Sequence, residues 1–89
     1  MSTYLVESSH TADECLKNLD EMRATGKEAL ATFEYGCDHG VHKGWGFRKA
    51  DSEKAALEVV PSFARSRARA VEVRKYTEAQ IEQIHAMHK

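Results

Sequence analysis

The sequence predicts an α+β protein with a four-stranded antiparallel sheet, helices on one face of that sheet and a further helix at the C-terminus. Segments with a period of two alternate with segments of helical spacing, in the order β-α-β-β-α-β. A chain of 89 residues suits one small domain, which we assign to residues 1–89. Because crossover connections are right-handed, we expect the third strand between the first and second, with the fourth beside the first.

The first half of the chain contains two predicted strands around one helix. Residues 3–8 are short and β-prone, which indicates the first strand. Thr11 stands three residues before Glu14, the spacing of a capping box, so the first helix is expected to open there. Gly26 tolerates a left-handed conformation and marks the helix end, after which residues 29–35 are predicted as the second strand.

The second half begins with a hairpin and ends with a helix. Asp51 or Ser52 is expected to cap the second helix, and Pro61 disfavours helical geometry at the residue before it. Thr77 and Gln80 repeat the capping-box spacing. The predicted segments are a turn at 37–40, strands at 41–49 and 68–75, and a terminal helix after residue 77.

Charge and hydropathy exclude two classes of partner. The net charge of −1, from 13 basic and 14 acidic side chains, provides no field that would attract nucleic acid or an anionic membrane. No apolar run approaches the roughly 20 residues of a membrane span. The N-terminus has no basic or leader-like apolar segment, and two cysteines with five histidines suit a reducing compartment. We therefore expect a cytoplasmic protein.

Cysteine and histidine residues gather at one edge of the predicted sheet. The first and second strands end there and the third begins there, which brings together His10, Cys37, His39 and His42. Thiolate and imidazole are the usual ligands of zinc, nickel, copper and iron, so these four residues predict a transition-metal site. The spacing Cys-x-His-x-x-His is not a familiar zinc signature. The alternative is a polar turn, with Cys15 as a core residue and His39 in solvent.

The two thiols are expected to differ in reactivity. Nearby cationic side chains would favour the thiolate of Cys37, whereas Cys15 is predicted on the apolar face of the first helix. Cys37 should therefore react faster with a thiol reagent in the metal-free protein. The two residues could form a redox pair if they are close, although no Cys-x-x-Cys motif is present.

Strand parity suggests a second site on the sheet face away from the helices. Gly44 and Gly46 would form a floor without side chains there, and glycine in a strand often marks the close approach of a ligand. A solvated face is the alternative. The residues predicted to face the helices are Tyr4, Val6, Phe33, Tyr35, Trp45, Phe47, Val71 and Val73, and the predicted ligand-binding residues opposite them are Glu34, Gly44, Gly46, Arg48 and Arg74.

Three classes of function follow from these sites. The first is a binding protein for a transition metal or a small ligand. The second is an isomerase or lyase in which His42 or Glu7 transfers a proton while Arg48 or Arg74 holds a substrate carboxylate. The third is an interaction module without catalysis. In each case we expect a homodimer through the open sheet face, because a chain this small gains stability by covering that face.

Three stretches of the chain resemble a group of small uncharacterised bacterial proteins. They are Tyr-Leu-Val-Glu-Ser-Ser-His-Thr with Glu-Cys-Leu, the hairpin Tyr-Gly-Cys-Asp-His-Gly-Val-His-Lys-Gly-Trp, and the ending from Val-Pro to Arg-Lys-Tyr-Thr-Glu-Ala-Gln-Ile. The pattern is more loosely similar to the dimeric α+β-barrel superfamily, which includes muconolactone-isomerase-like and YciI-like proteins. This resemblance implies ferredoxin-like subunits that pair sheet to sheet around a ligand site. It carries over no catalytic residue.

Overall fold

A computed structural model describes residues 1–88. Its strands are β1 (Ser2–Ser9), β2 (Phe33–Tyr35), β3 (Lys43–Ala50) and β4 (Ala68–Val73). Its α-helices are α1 (Cys15–Thr25), α2 (Lys27–Thr32), α3 (Glu53–Leu57) and α4 (Glu78–Met87), and 3₁₀ turns cover Ala12–Glu14, Cys37–His39 and Ser62–Arg67. Within this range, no helix combines the length and the apolar character needed to cross a membrane.

The strands form one antiparallel sheet in the order β2-β3-β1-β4. β1 pairs along its whole length with β3, from Ser2 opposite Ala50 to Ser9 opposite Lys43, and its other side pairs with β4. These findings confirm the α+β class, the four-stranded antiparallel sheet and the C-terminal helix. The end of the β1–β3 ladder at Ser9 and Lys43 is the sheet edge at which the cysteines and histidines were expected.

Residues 27–32 depart from the prediction. The pattern of residues 29–35 predicts one strand, but only Phe33–Tyr35 is extended and Lys27–Thr32 forms α2. The Leu30 amide donates to the Gly26 carbonyl oxygen at 3.3 Å, which closes the first turn of this helix. Lysine, glutamate, alanine and leucine all favour helix over strand, so the strand prediction for residues 29–32 is wrong for a local reason.

The apolar core lies between the helices and one face of the sheet. Tyr4 and Val6 of β1 contribute to it from the sheet side. Met22 of α1, Ala29 of α2 and Ala56 of α3 meet them from the helix side. Alternate residues of β1 are therefore buried by helices, while the residues between them face away.

The predicted facing of β3 and β4 is wrong. Residues paired directly across an antiparallel ladder share a face. Leu5 faces away from the helices, and it is opposite both Phe47 and Val71. Glu7, on the same face, is opposite Trp45. The large apolar side chains of β3 and β4 thus lie on the open face, and the side chains that belong there are Leu5, Trp45, Phe47, Val71 and Val73.

Gly44 and Gly46 lie instead on the helix side of β3. Both are buried, and the aromatic rings of β2 cover them. A Cβ atom on Gly46 would stand 2.6 Å from Cδ1 of Phe33, and one on Gly44 would stand 2.6 Å from Cε1 of Tyr35. The glycines make room for two rings from the neighbouring strand, so the space above them is not open to a ligand.

Candidate metal centre

Four side chains that can bind metal converge at the end of the β1–β3 ladder. His10, Cys15, Cys37 and His42 each offer one ligand atom, and these four atoms all lie within 4.8 Å of one another. Nε2 of His10 is 3.2 Å from Sγ of Cys37. The rings of His10 and His42 meet edge to face, with 5.9 Å between their centroids.

The two histidines are positioned by the backbone of the sheet. His10 follows β1 directly, and its amide donates to the carbonyl oxygen of His42 at 3.1 Å. This hydrogen bond extends the β1–β3 pairing by one step beyond Ser9 and Lys43. His10 is only 5% exposed, while His42 is half-buried. The ladder therefore fixes both imidazoles side by side, with one side of the pair open towards solvent.

Cys15 reaches the site because of a tight turn before α1. The Thr11 amide donates to Oε1 of Glu14 at 2.9 Å, half of the predicted capping box. The Glu14 carboxylate also receives a bidentate pair from Arg67, with N···O distances of 2.9 and 3.1 Å. The Arg67 guanidinium, aided by the Thr11 amide, lowers the pKa of Glu14 to about 2. This network fixes the start of α1, where Cys15 is the first residue.

Cys37 is held by a compact turn between two glycines. The Gly36 carbonyl oxygen accepts from the amides of His39 at 2.9 Å and Val41 at 3.0 Å. Gly40 has a φ of 81°, a left-handed conformation that glycine adopts without strain. At Gly36 a Cβ atom would stand 2.9 Å from the Val41 carbonyl oxygen. Both glycines are therefore needed for the turn that directs Cys37 towards His10.

Two of the four side chains, Cys37 and His10, are uncharged before the site binds metal. Burial, with a further contribution from the neighbouring Cys15 thiol, raises the pKa of Cys37 to about 11. Burial and the adjacent His42 ring lower the pKa of His10. At neutral pH Cys37 is therefore a thiol and His10 a neutral imidazole. The expectation that nearby cations favour the Cys37 thiolate in the metal-free protein is wrong, because burial and the neighbouring Cys15 thiol dominate this pKa.

Two polar side chains beside the thiols have no hydrogen-bond partner in the described part of the chain. Asn18 is 1% exposed, yet both its amide nitrogen and its amide oxygen are unpaired. The Tyr35 hydroxyl is buried and also unpaired. Burial raises the pKa of Tyr35 to about 12, and the Asn18 amide opposes this shift without forming a hydrogen bond of good geometry. Buried polar groups are usually paired, so both side chains have hydrogen-bonding capacity beside the thiols that the described chain does not use.

The structure brings together three of the four predicted metal ligands. His10, Cys37 and His42 belong to the group, whereas His39 is exposed in the turn and lies outside it. Cys15 takes the fourth position. Helical spacing had placed Cys15 beside Leu16 and Leu19, but Leu16 is 70% exposed and does not mark a core face. The useful signal was the capping box, which places Cys15 at the helix start and therefore at the sheet edge.

The residues predicted for ligand binding and catalysis do not form one pocket. Arg48 lies on the helix side of β3 opposite Tyr4, and the Arg74 guanidinium stacks on Tyr76, 4.8 Å from the ring centroid. Glu34 is exposed on the open face opposite Trp45. Glu7 accepts a hydrogen bond of 2.9 Å from the Trp45 indole. The Glu7 carboxylate therefore binds Trp45 on the open face of the sheet, and it is not beside His42.

The group suits a tetrahedral metal ion. Zinc bonds of about 2.3 Å to sulfur and about 2.0 Å to nitrogen place the ligand atoms roughly 3.3–3.8 Å apart. The observed separations reach 4.8 Å, so the most distant ligand atoms would approach one another by about 1 Å on binding zinc. Two imidazoles and two thiols are a ligand set of structural zinc sites.

Comparison with known proteins adds no support for the candidate metal centre beyond its geometry. The resemblance to dimeric α+β-barrel proteins remains an expectation, and no activity is transferred from it. No protein-family model, no curated protein and no solved structure matches this chain.

Proposed function

We propose that this protein binds one Zn²⁺ ion per chain through His10, Cys15, Cys37 and His42. The observation that carries the proposal is the convergence of two imidazoles and two thiols, brought from separate segments of the chain to within 4.8 Å. Zn²⁺ prefers four nitrogen and sulfur ligands in a tetrahedron. Copper, nickel and iron accept the same donor types, but zinc fits best because it has no redox chemistry that would consume the thiolates.

The ligand count favours a structural or exchangeable site over a hydrolytic one. Catalytic zinc usually keeps one position open for water, and four protein ligands close that position. Three of the four ligand residues are half-buried, so the ion can exchange with solvent without global unfolding. We further propose a ferredoxin-like domain in a reducing compartment such as the cytoplasm, which the strand order and the two free cysteines support.

Asn18 and Tyr35 are proposed to support the bound ion from outside its ligand shell. Asn18 lies one helical turn after Cys15 on the same side of α1, and Tyr35 lies two residues before Cys37. Zinc converts the thiols to thiolates, which accept hydrogen bonds. The unpaired Asn18 amide and Tyr35 hydroxyl can then donate to sulfur, and such donors typically strengthen metal affinity.

Elemental analysis of protein purified without an affinity tag tests the proposal. We expect one zinc per chain, and replacement by Co²⁺ should give the visible spectrum of a tetrahedral thiolate site. Cys15→Ser should lose most of the metal, whereas His39→Ala, which removes an exposed histidine of the same turn, should keep it. A protein that binds no stoichiometric metal, or that loses it in His39→Ala and not in Cys15→Ser, would contradict the assignment.

Zinc affinity should rise with pH. The folded metal-free protein holds the Cys37 proton up to about pH 11, whereas the zinc complex needs the thiolate. Each thiol that must lose a proton contributes about a tenfold rise in affinity per pH unit. His10 adds nothing above its lowered pKa, because it is already neutral. Competition with a chelator between pH 6 and 8 measures the slope, which Cys37→Ser should reduce by about one tenfold step per unit. A flat profile would rule out thiolate ligation.

A further inference from the structure

The C-terminal helix buries none of its side chains against the rest of residues 1–88. None of the side chains of α4 is buried, and Ile81, Ile84 and Met87 are 46%, 39% and 77% exposed. Their spacing places them along one stripe of the helix. The molecule measures 52 Å along its longest axis, with a radius of gyration of 15.9 Å against about 12 Å for a compact chain of this length. α4 therefore extends from the domain as an arm whose apolar side is exposed.

The exposed area matches what a dimer would cover. The chain exposes 6594 Å², whereas a compact monomer of 10.0 kDa exposes roughly 5,200 Å². The additional exposed area of this chain, relative to a compact monomer, is larger than the roughly 800 Å² that each partner contributes to a standard protein–protein interface.

The open sheet face offers a surface of matching character. Phe47, Leu5 and Val71 form an apolar row across three strands, and Phe47 is 60% exposed. Beside this row lies a hollow of about 590 Å³, lined by Thr3, Phe47, Lys49, Val73, Arg74 and Lys75. Three cationic side chains thus border an apolar surface at the root of α4.

We propose that α4 of one copy of this chain lies on the open sheet face of a second copy, reciprocally. The apolar stripe of α4 meets the apolar row of the sheet. Glu78, which is turned about 60° from Ile81 and so borders that stripe, meets the cationic border formed by Lys49, Arg74 and Lys75. Opposite charges around an apolar centre fix the register of such a contact. The segment between β4 and α4 holds only residues 74–77, and it carries the arm away from its own sheet.

Sedimentation of the full-length chain at micromolar concentration is the first test. We expect a mass twice the 10.0 kDa of one chain. Ile84→Lys should weaken the dimer by about thirtyfold or more, because it places a charge in the apolar centre. Ala86→Lys is the matched control, since its exposed side chain is turned about 160° away from Ile84. A monomeric wild type, or a dimer that survives Ile84→Lys, would overturn the proposal.

A charge exchange separates helix docking from other arrangements. One variant carries Glu78→Lys, and the other carries Lys49→Glu and Lys75→Glu. Each alone brings like charges together and should be monomeric, with unchanged metal content and helical circular dichroism. An equimolar mixture should form the dimer again, because the reversed helix meets the reversed face and the two native surfaces also meet. If the mixture stays monomeric, or if the helix variant alone still dimerises because the sheets pair directly, the proposal fails.

Discussion

Zinc is expected to raise the unfolding temperature of the wild-type chain by about 15 °C or more at a thousandfold excess over its dissociation constant. The reason is that the ligands come from four segments: the residue after β1, the start of α1, the glycine turn and the residue before β3. The ion joins them in the folded state, and the unfolded chain does not hold them together. The free energy of zinc binding at this site therefore adds to the stability of the folded state.

Cys37→Ser should lose nearly all of this thermal shift. Serine keeps the size and removes the thiolate, so only three ligands remain. Thermal unfolding followed by circular dichroism, with zinc and with a chelator, gives both values in one experiment. His39→Ala should retain the full shift, because His39 is exposed and lies outside the group. Equal shifts in Cys37→Ser and the wild type would show that zinc stabilises the protein elsewhere.

The position of the site followed from topology, whereas the role of one of its ligands did not. The expected sheet edge places His10, Cys37 and His42 close together whatever their spacing in sequence. The same topology places Cys15 at this edge, but its helical spacing predicted a core residue, because periodicity alone cannot tell a buried helix position from a helix start that faces a polar site. The direction of the Cys37 pKa shift could not be predicted either, since the balance between burial and nearby charge depends on distances that a sequence does not contain.

The facing of β3 could not be predicted from hydrophobic alternation. Large apolar residues alternate with glycines along this strand, and hydrophobic alternation alone predicts that the large residues face the core. The structure reverses this, because Phe33 and Tyr35 of β2 fill the core side above the glycines. The aromatic rings of β2 therefore cover the glycines of β3, an arrangement that also occurs in other sheets. The large residues Trp45 and Phe47 are left for the open face.

Gly46→Val should destabilise the fold by about 2–3 kcal/mol, the range for overpacking a filled core. A valine Cβ would meet the Phe33 ring at 2.6 Å, and β3 cannot move aside because it is paired with β2 and β1. Phe33 itself is 6% exposed, so its ring has no free space to enter. Valine suits a strand intrinsically, which makes the steric cause separable from backbone preference.

Urea denaturation of a double-mutant cycle tests that cause. Phe33→Leu removes the ring that valine would strike, so Gly46→Val in that background should cost at least about 1 kcal/mol less than in the wild type. Glu34→Val supplies the control, because it adds a β-branched residue to the exposed side of the neighbouring strand β2 and should stay within about 0.5 kcal/mol of the wild type. Strict additivity of the two core substitutions would mean that the ring of Phe33 is not what Gly46 accommodates.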